Sequence, residues 1–193
     1  MQGVSARADD WLTIDTFAIR IADVVRGTIC KGDQSNLRDG LSEMKAQFQA
    51  THTAGYKVIL IGNGGSSAIA SHLAIDLCKN GQIRSVTFND FPAITCLAND
   101  FSYDQVFVKQ LEYHARENDC VVCISSSGKS MNIRNAAHYA KELGCRVYTF
   151  TGMIEGNALS NMGHVNFWVP SKDYGIVEIA HMTLIHSLVH CCI

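Results

Sequence analysis

Proline is almost missing from this chain. There are two in 193 residues, Pro92 and Pro170, each at the border of an apolar run. With so little proline, and with no low-complexity tract or internal repeat, no linker is visible. One domain over 1–193 is expected, with 1–55 as an N-terminal helical extension. Long apolar runs are missing too: none approaches the ~20 residues of a membrane span. The first residues lack the basic start and apolar centre of a signal peptide, so a cytoplasmic protein without a membrane partner is expected. Charge of one sign is equally scarce. A formal net charge of −2 and the want of any dense Lys/Arg run argue against nucleic acid as a partner. Eight cysteines are present but scattered, several of them (Cys120, Cys123, Cys191, Cys192) inside apolar runs, where reduced thiols act as small core hydrophobes. Cys120-Val121-Val122-Cys123 has the spacing of a zinc or redox site. No second Cys or His pair stands at ligand spacing, so it is read as core.

What is present is an alternation of apolar strands and helices. Trp11, Ile14, Phe17, Ala18, Ile21, Val24 and Val25 recur at helical spacing, and Leu37, Leu41, Met44 and Phe48 do so after the turn-prone Lys31-Gly32-Asp33. Two helices therefore precede the first strand. Strands follow at 57–61, 84–88, 120–124, 145–150 and 165–169, with a short one at 94–97. Helices are expected near 67–79, 103–116, 131–143, 156–160 and from about 175. The class is α/β: a doubly wound, parallel five-stranded sheet with an N-terminal helical pair, its ligand site at the carboxyl ends of the strands.

Three stretches carry possible chemistry. The first is Gly62-Asn63-Gly64-Gly65-Ser66, a glycine-tight turn between the strand Val58–Ile61 and a helix that brings His72 and Asp76, four residues apart, onto one face. Such a turn serves either ligand contact through backbone N–H groups or tight geometry alone. A dinucleotide reading is disfavoured, because Ser67 stands at the third glycine position and the next acid, Asp90, comes late. The second is Ser125-Ser126-Ser127-Gly128-Lys129-Ser130, four hydroxyls at a helix start; a cap needs one, and a phosphate uses the rest. Lys129 either adds charge there or faces solvent. The third is the last helix, apolar nearly all round and so expected to be buried, yet carrying Glu178, His181, His186 and His190. Glu178 and His186, eight residues apart, project within about 80° of each other. A satisfied core histidine and a metal or acid/base site both remain open there, and His190 is read as incidental. His52, His114, His138 and His164 are read as surface residues.

Together GNGGSSAIASHLAIDL, LANDFSYD, ISSSGKS, FTG and EIAHMTLIH, in this order and spacing, resemble the sugar isomerase (SIS) domain. With the N-terminal helices the whole chain is similar to the phosphoheptose isomerase family. That resemblance implies a flavodoxin-like or Rossmann-like fold, a homotetramer, and an aldose–ketose isomerase of phosphorylated sugars that works through an enediol with a divalent metal, usually zinc. The substrate it implies is sedoheptulose 7-phosphate, converted to glycero-manno-heptose 7-phosphate. By the same resemblance, Asn63, Gly64, Gly65, Asn99 and Asp100 lie against the sugar, and Ser125, Ser126, Ser127 and Ser130 hold its phosphate. His72, Asp76, Glu178 and His186 stand at the metal-ligand positions, Asp76 and His186 as the catalytic pair, with Glu178 also beside the substrate. The chain departs from the family at two of these four positions and at one other. Asp76 replaces Glu, shortening the reach by about 1.5 Å; Glu178 replaces Gln, adding a carboxylate; and Ile69 stands where the family has Asp. A rival from another class is a non-catalytic SIS-fold binding protein, like the replication-initiation regulator. A buried imidazole two turns from an acid has no use in a pure scaffold.

Overall fold

The structure, a computed structural model, describes residues 14–32 and 36–192, the side chains of residues 191 and 192 excepted. Expectations for Trp11, Asp33, Cys191 and Cys192 lie outside that description. The elements run α1 (Ile14–Arg26), β1 (Ile29–Gly32), α2 (Leu37–Thr53), β2 (Val58–Gly62), α3 (Gly65–Lys79), β3 (Ser85–Thr87), α4 (Phe91–Asp100), α5 (Val106–His114), β4 (Cys120–Ser125), α6 (Met131–Glu142), β5 (Arg146–Thr151), β6 (Val165–Trp168) and α7 (Tyr174–Cys192), with short 3₁₀ turns at Tyr103–Gln105 and Ala158–Asn161. The strand order is β1-β6-β5-β4-β2-β3. The five strands from β2 to β6 are parallel in the order of a flavodoxin-like sheet. No helix among the described residues is long and apolar enough to cross a membrane.

Alternation along the strands feeds two cores. Val58, Leu60, Cys120, Val122 and Ile124 face one side, with Met44 and Phe48 of α2, Leu73 and Leu77 of α3, and Leu184 and Leu188 of α7. Ile59, Ile61, Val121 and Cys123 face the other, with Leu97, Phe107, Leu111, Ile133 and Ala137. Fully burying one such large side chain is worth about 1.5–3 kcal/mol, so the central strands are the most firmly held part of the chain. Cys120 and Cys123 are completely buried within these cores, and burial pushes the Cys120 thiol up to about 11, as befits structural rather than reactive sulfur.

Three expectations are corrected. The helical pair is interrupted by β1, an edge strand pairing antiparallel with β6 through Cys30 and Phe167; its sequence ICKG buries one side chain and carries no strand periodicity. Residues 94–97 lie inside α4 rather than in a strand, because the Asp90 side chain accepts from the Ala93 N–H and Pro92 sits in the first turn, both helix-start signals. The last helix is not buried all round. Ile176, Val177, Ala180, His181, Leu184 and Ile185 face the core, while Glu178 is half-buried and Ile179, Thr183 and His186 are exposed, since the sheet covers one side of α7 only. Ile69 is a core residue, 4% exposed.

Candidate active site

The sheet reverses its order between β2 and β4, and their carboxyl ends open the crevice where α/β sheets bind ligands. The glycine turn leaves β2 and the serine turn leaves β4, so the fold itself brings the first two motifs side by side. Asn63 and Asn132 join them by a reciprocal amide pair, Nδ2 donating to Oδ1 at 2.9 Å in both directions, and Tyr103 Oη donates to Asn63 Oδ1 at 3.0 Å.

On one side of Asn63 lies a cavity of about 130 Å³ lined by Asn63, Ser66, Ser125, Ser126, Ser127, Ser130, Tyr174 and Glu178. The serines are not consumed by helix capping: Ser130 is the N-cap of α6 and makes no side-chain cap bond. Ser126 Oγ is buried without a partner, and Ser125 Oγ approaches Ser130 Oγ at only 3.5 Å. Ser127 Oγ accepts from the Lys129 N–H at 3.3 Å, while the Lys129 side chain is exposed. Unspent hydroxyls around the N-terminus of a twelve-residue helix can hold a phosphate monoester. On the other side of Asn63, Gly62, Gly64, Ser67, Asn89, Phe91, Ile94 and Phe107 line a second cavity of about 160 Å³. Gly64 caps α3 at φ +53°, a left-handed turn that favours glycine. Asn99 and Asp100 line neither cavity; they are exposed at the end of α4, with Asn99 Nδ2 donating to Asp100 Oδ1 at 2.9 Å.

The third group forms where α3 packs on α7. Asp76 Oδ2 lies 3.2 Å from His72 Nε2 and 3.3 Å from His186 Nδ1. The two imidazole rings stand 5.6 Å apart at 33°. One ligand atom from each of these residues falls within 4.8 Å of the others. Two imidazoles and a carboxylate, with the imidazole side chains 52% and 50% exposed, fit a divalent metal that keeps a position open for substrate. Glu178 is not in this group. Eight residues of helix separate it from His186, about 12 Å of rise. Its carboxylate is turned to the start of α3, so close that a Cβ on Gly65 would stand 2.5 Å from Oε2. Gly65 is thus a glycine because Glu178 fills the space where a side chain would go. His181 is a core residue: fully buried, Nε2 against the Thr151 carbonyl at 3.1 Å, its pKa lowered by burial to about 4.

Sequence reasoning missed Tyr103, Asn132, Asn89 and Tyr174. Tyr103 lies within LANDFSYD, of which only Asn99 and Asp100 were read as site residues; Asn132, Asn89 and Tyr174 belong to no quoted motif, and all four reach the crevice through the fold.

The SIS-domain family profile matches residues 30–152. The phosphoheptose isomerase of Pelobacter propionicus is 34% identical over 152 residues, 76% of this chain and 80% of that one. That of Mycobacterium tuberculosis is 36% identical over 150 residues, 72% and 74% of the two chains. In three dimensions the phosphoheptose isomerase of Neisseria gonorrhoeae matches with a TM-score of 0.82 at 27% identity, over 93% of this chain and 95% of that one. The chain belongs to the SIS-domain family, alongside the phosphoheptose isomerases, and is a sugar-phosphate isomerase.

Proposed function

We propose that this isomerase converts sedoheptulose 7-phosphate to glycero-manno-heptose 7-phosphate through an enediol, as a cytoplasmic homotetramer carrying a divalent metal, zinc by preference. The observation that carries the reading is the division of the crevice into two stations along α7. The serine turn, its hydroxyls unspent around a helix N-terminus, shares its cavity with Glu178 of α7; eight residues further along that helix, about 12 Å of rise, His186 meets His72 and Asp76. A sugar phosphate needs that separation, with its ester anchored at one end and its carbonyl presented at the other.

Ser125, Ser126, Ser127 and Ser130 bind the phosphate with the amide N–H groups at the start of α6. Asn63, oriented by Asn132 and Tyr103, holds the sugar between the stations. Asp76 and His186, 3.3 Å apart, form the pair that moves protons. One proton leaves C1 of the ketose and returns at C2, and a hydroxyl proton leaves the oxygen on C1 and is restored on the oxygen of C2, so C1 is oxidised and C2 reduced without an outside electron donor. With Nδ1 turned to Asp76, His186 keeps Nε2 for the substrate oxygens. His72, Asp76 and His186 would hold the metal, which when bound polarises the carbonyl and lowers the cost of the enediol charge.

The purified protein, incubated with a panel of ketose 7- and 6-phosphates with and without added zinc and followed by NMR, is expected to form the aldose from sedoheptulose 7-phosphate. Absence of turnover with every ketose phosphate, with binding of inorganic phosphate retained, would replace the enzyme reading by a binding module.

A further inference from the structure

The crevice lies at the carboxyl ends of the strands, and the sheet is hollowed at its opposite end as well. β2 pairs in parallel with β3 and with β4, Val58 standing level with Ser85 and with Cys120. The residues just before these three, Lys57, Arg84 and Asp119, are therefore brought to one level at the amino ends of neighbouring strands. With Tyr113 and His114 at the end of α5, and Arg116 just beyond it, they line a cavity of about 290 Å³. That volume is near the lower bound for small-molecule sites. The five residues of β2, roughly 15 Å of strand, part it from the glycine turn, and it shares no lining residue with the two cavities of the crevice.

Its charges do not cancel. Asp119, the one acid among the described lining residues, is 1% exposed and already spent: it accepts from the Lys57 N–H and the Arg116 N–H, each at 2.9 Å, and from Lys57 Nζ at 2.6 Å. Of the acids close by in sequence, Glu112 is held by Lys109 and Glu117 lies against Gly144. Arg84 and Arg116 remain, both exposed. Helices α2 and α5 end at this cavity, and two helix carbonyl ends carry about one negative charge between them. Arg84 answers it, its Nη1 donating to the Gly55 carbonyl at 2.7 Å. The Arg116 guanidinium joins no ion pair and no hydrogen bond with another described residue, although Asp119 holds its backbone. A guanidinium fork with nothing to grip matches the paired oxygens of a phosphate. Beside it the Tyr113 ring is 60% exposed and edge-on to His114 at 6.3 Å, while His114 rests on Phe88 at 5.8 Å. A ring left in water at the rim of a cationic cavity offers a flat apolar face that a bare phosphate cannot use.

We propose that this cavity is a second ligand site, separate from the crevice, and that it takes a nucleotide. The phosphate oxygens lie on Arg116 and Arg84, and the base stacks on Tyr113. The inference does not rest on the isomerase chemistry assigned to the crevice.

Calorimetric titrations of ADP, inorganic pyrophosphate and adenosine into the whole protein test this, first alone and then with an excess of a non-isomerisable polyol phosphate, glucitol 6-phosphate, to fill the crevice. ADP should bind saturably below millimolar concentration whether or not the polyol phosphate is present. Pyrophosphate should bind about tenfold more weakly, and adenosine more weakly still. Arg116→Ala and Tyr113→Ala should each weaken ADP by about tenfold or more, since a charge-assisted bond and a stacked ring are each worth at least that factor. Both side chains are exposed, and Asp119 is held through the Arg116 backbone, so melting temperature and any isomerase turnover should be unchanged in the two variants. No saturable ADP binding at millimolar concentration overturns the proposal, and so does an ADP affinity that both variants leave unaltered. Displacement of ADP by the polyol phosphate would put the nucleotide in the crevice and overturn it too. Pyrophosphate bound as tightly as ADP would refute the nucleotide assignment. ADP binding lost in Arg116→Ala, in a protein that turns over no ketose phosphate, would sustain this site and refute the isomerisation alone.

Discussion

His181 shows how far one buried side chain sets the conditions under which the fold survives. Its ring is fully covered, packed edge-on to Phe150 at 5.8 Å, with Nε2 donating to the Thr151 carbonyl and Nδ1 buried without a partner. Protonation would add a charge with nothing to meet it, so burial lowers the pKa to about 4. An unfolded histidine takes its proton near 6.5, so between pH 6.5 and 4 the unfolded chain binds more protons and stability falls as the pH falls. Above pH 6.5 this contribution is complete and flat. By pH 4.5 it should have cost roughly 2–3 kcal/mol. Urea midpoints measured at pH 7 and 4.5 should differ more in the wild type than in His181→Gln, and equal slopes would remove His181 as the cause. Gly65 and Glu178 make a second residue-scale point: a glycine that a turn alone would explain turns out to be spaced by a carboxylate from a helix more than a hundred residues away in sequence.

At the scale of elements, the pairing of α3 with α7 brings His72 and Asp76, set four apart on one helix, against His186 on another. Each helix is placed by its own apolar side: Leu73 and Leu77 on α3, Leu184 and Leu188 on α7. Their polar residues then meet at the outer seam. A ligand that binds the folded group and not the unfolded chain stabilises by mass action. Chelator treatment should therefore lower the melting temperature and zinc should restore it, by about 2.7 kcal/mol of stability at a hundredfold excess over the dissociation constant. His186→Ala should abolish that response together with isomerase turnover. Scanning calorimetry with and without chelator checks the first, and a melting curve indifferent to both would remove the metal from the proposed mechanism.

At the scale of the molecule, α1 has no buried residue: Ile14, on the helical apolar spacing, is 77% exposed, and Ile19, off that spacing, is 62% exposed. Beside it, Leu37 and Leu41 of α2 and Leu188 of α7 line an open groove of about 550 Å³ with Arg26, Arg38 and Lys45. Apolar surface left in this state on a helix is the mark of an interface, and a homotetramer joined through the N-terminal helices is the expected assembly. Light scattering at micromolar concentration should give four times the chain mass of 21.2 kDa. A monomer there would overturn the assembly and leave α1 without a reason for its apolar stripe.

The sequence by itself determined what is local. The central strands are continuous apolar runs, the turns are written in glycine and serine, and His72 with Asp76 share a face because helical spacing requires it, so these were legible without coordinates. The resemblance carried by the ordered motifs led to the family. The tertiary structure decided what depends on segments far apart. β1 exists because ICKG finds the free edge of β6, since a four-residue strand has no periodicity to announce it. Tyr103 and Asn132 orient Asn63 from two other elements, and Asn99 and Asp100 lie away from both cavities at the end of α4. Glu178 and His186 share a helix but meet different neighbours, because about 12 Å of helical rise parts them and only Glu178 meets α3 at its start. Helical angle can be read from residue spacing, but the identity of the facing partner is settled only by how the helices pack.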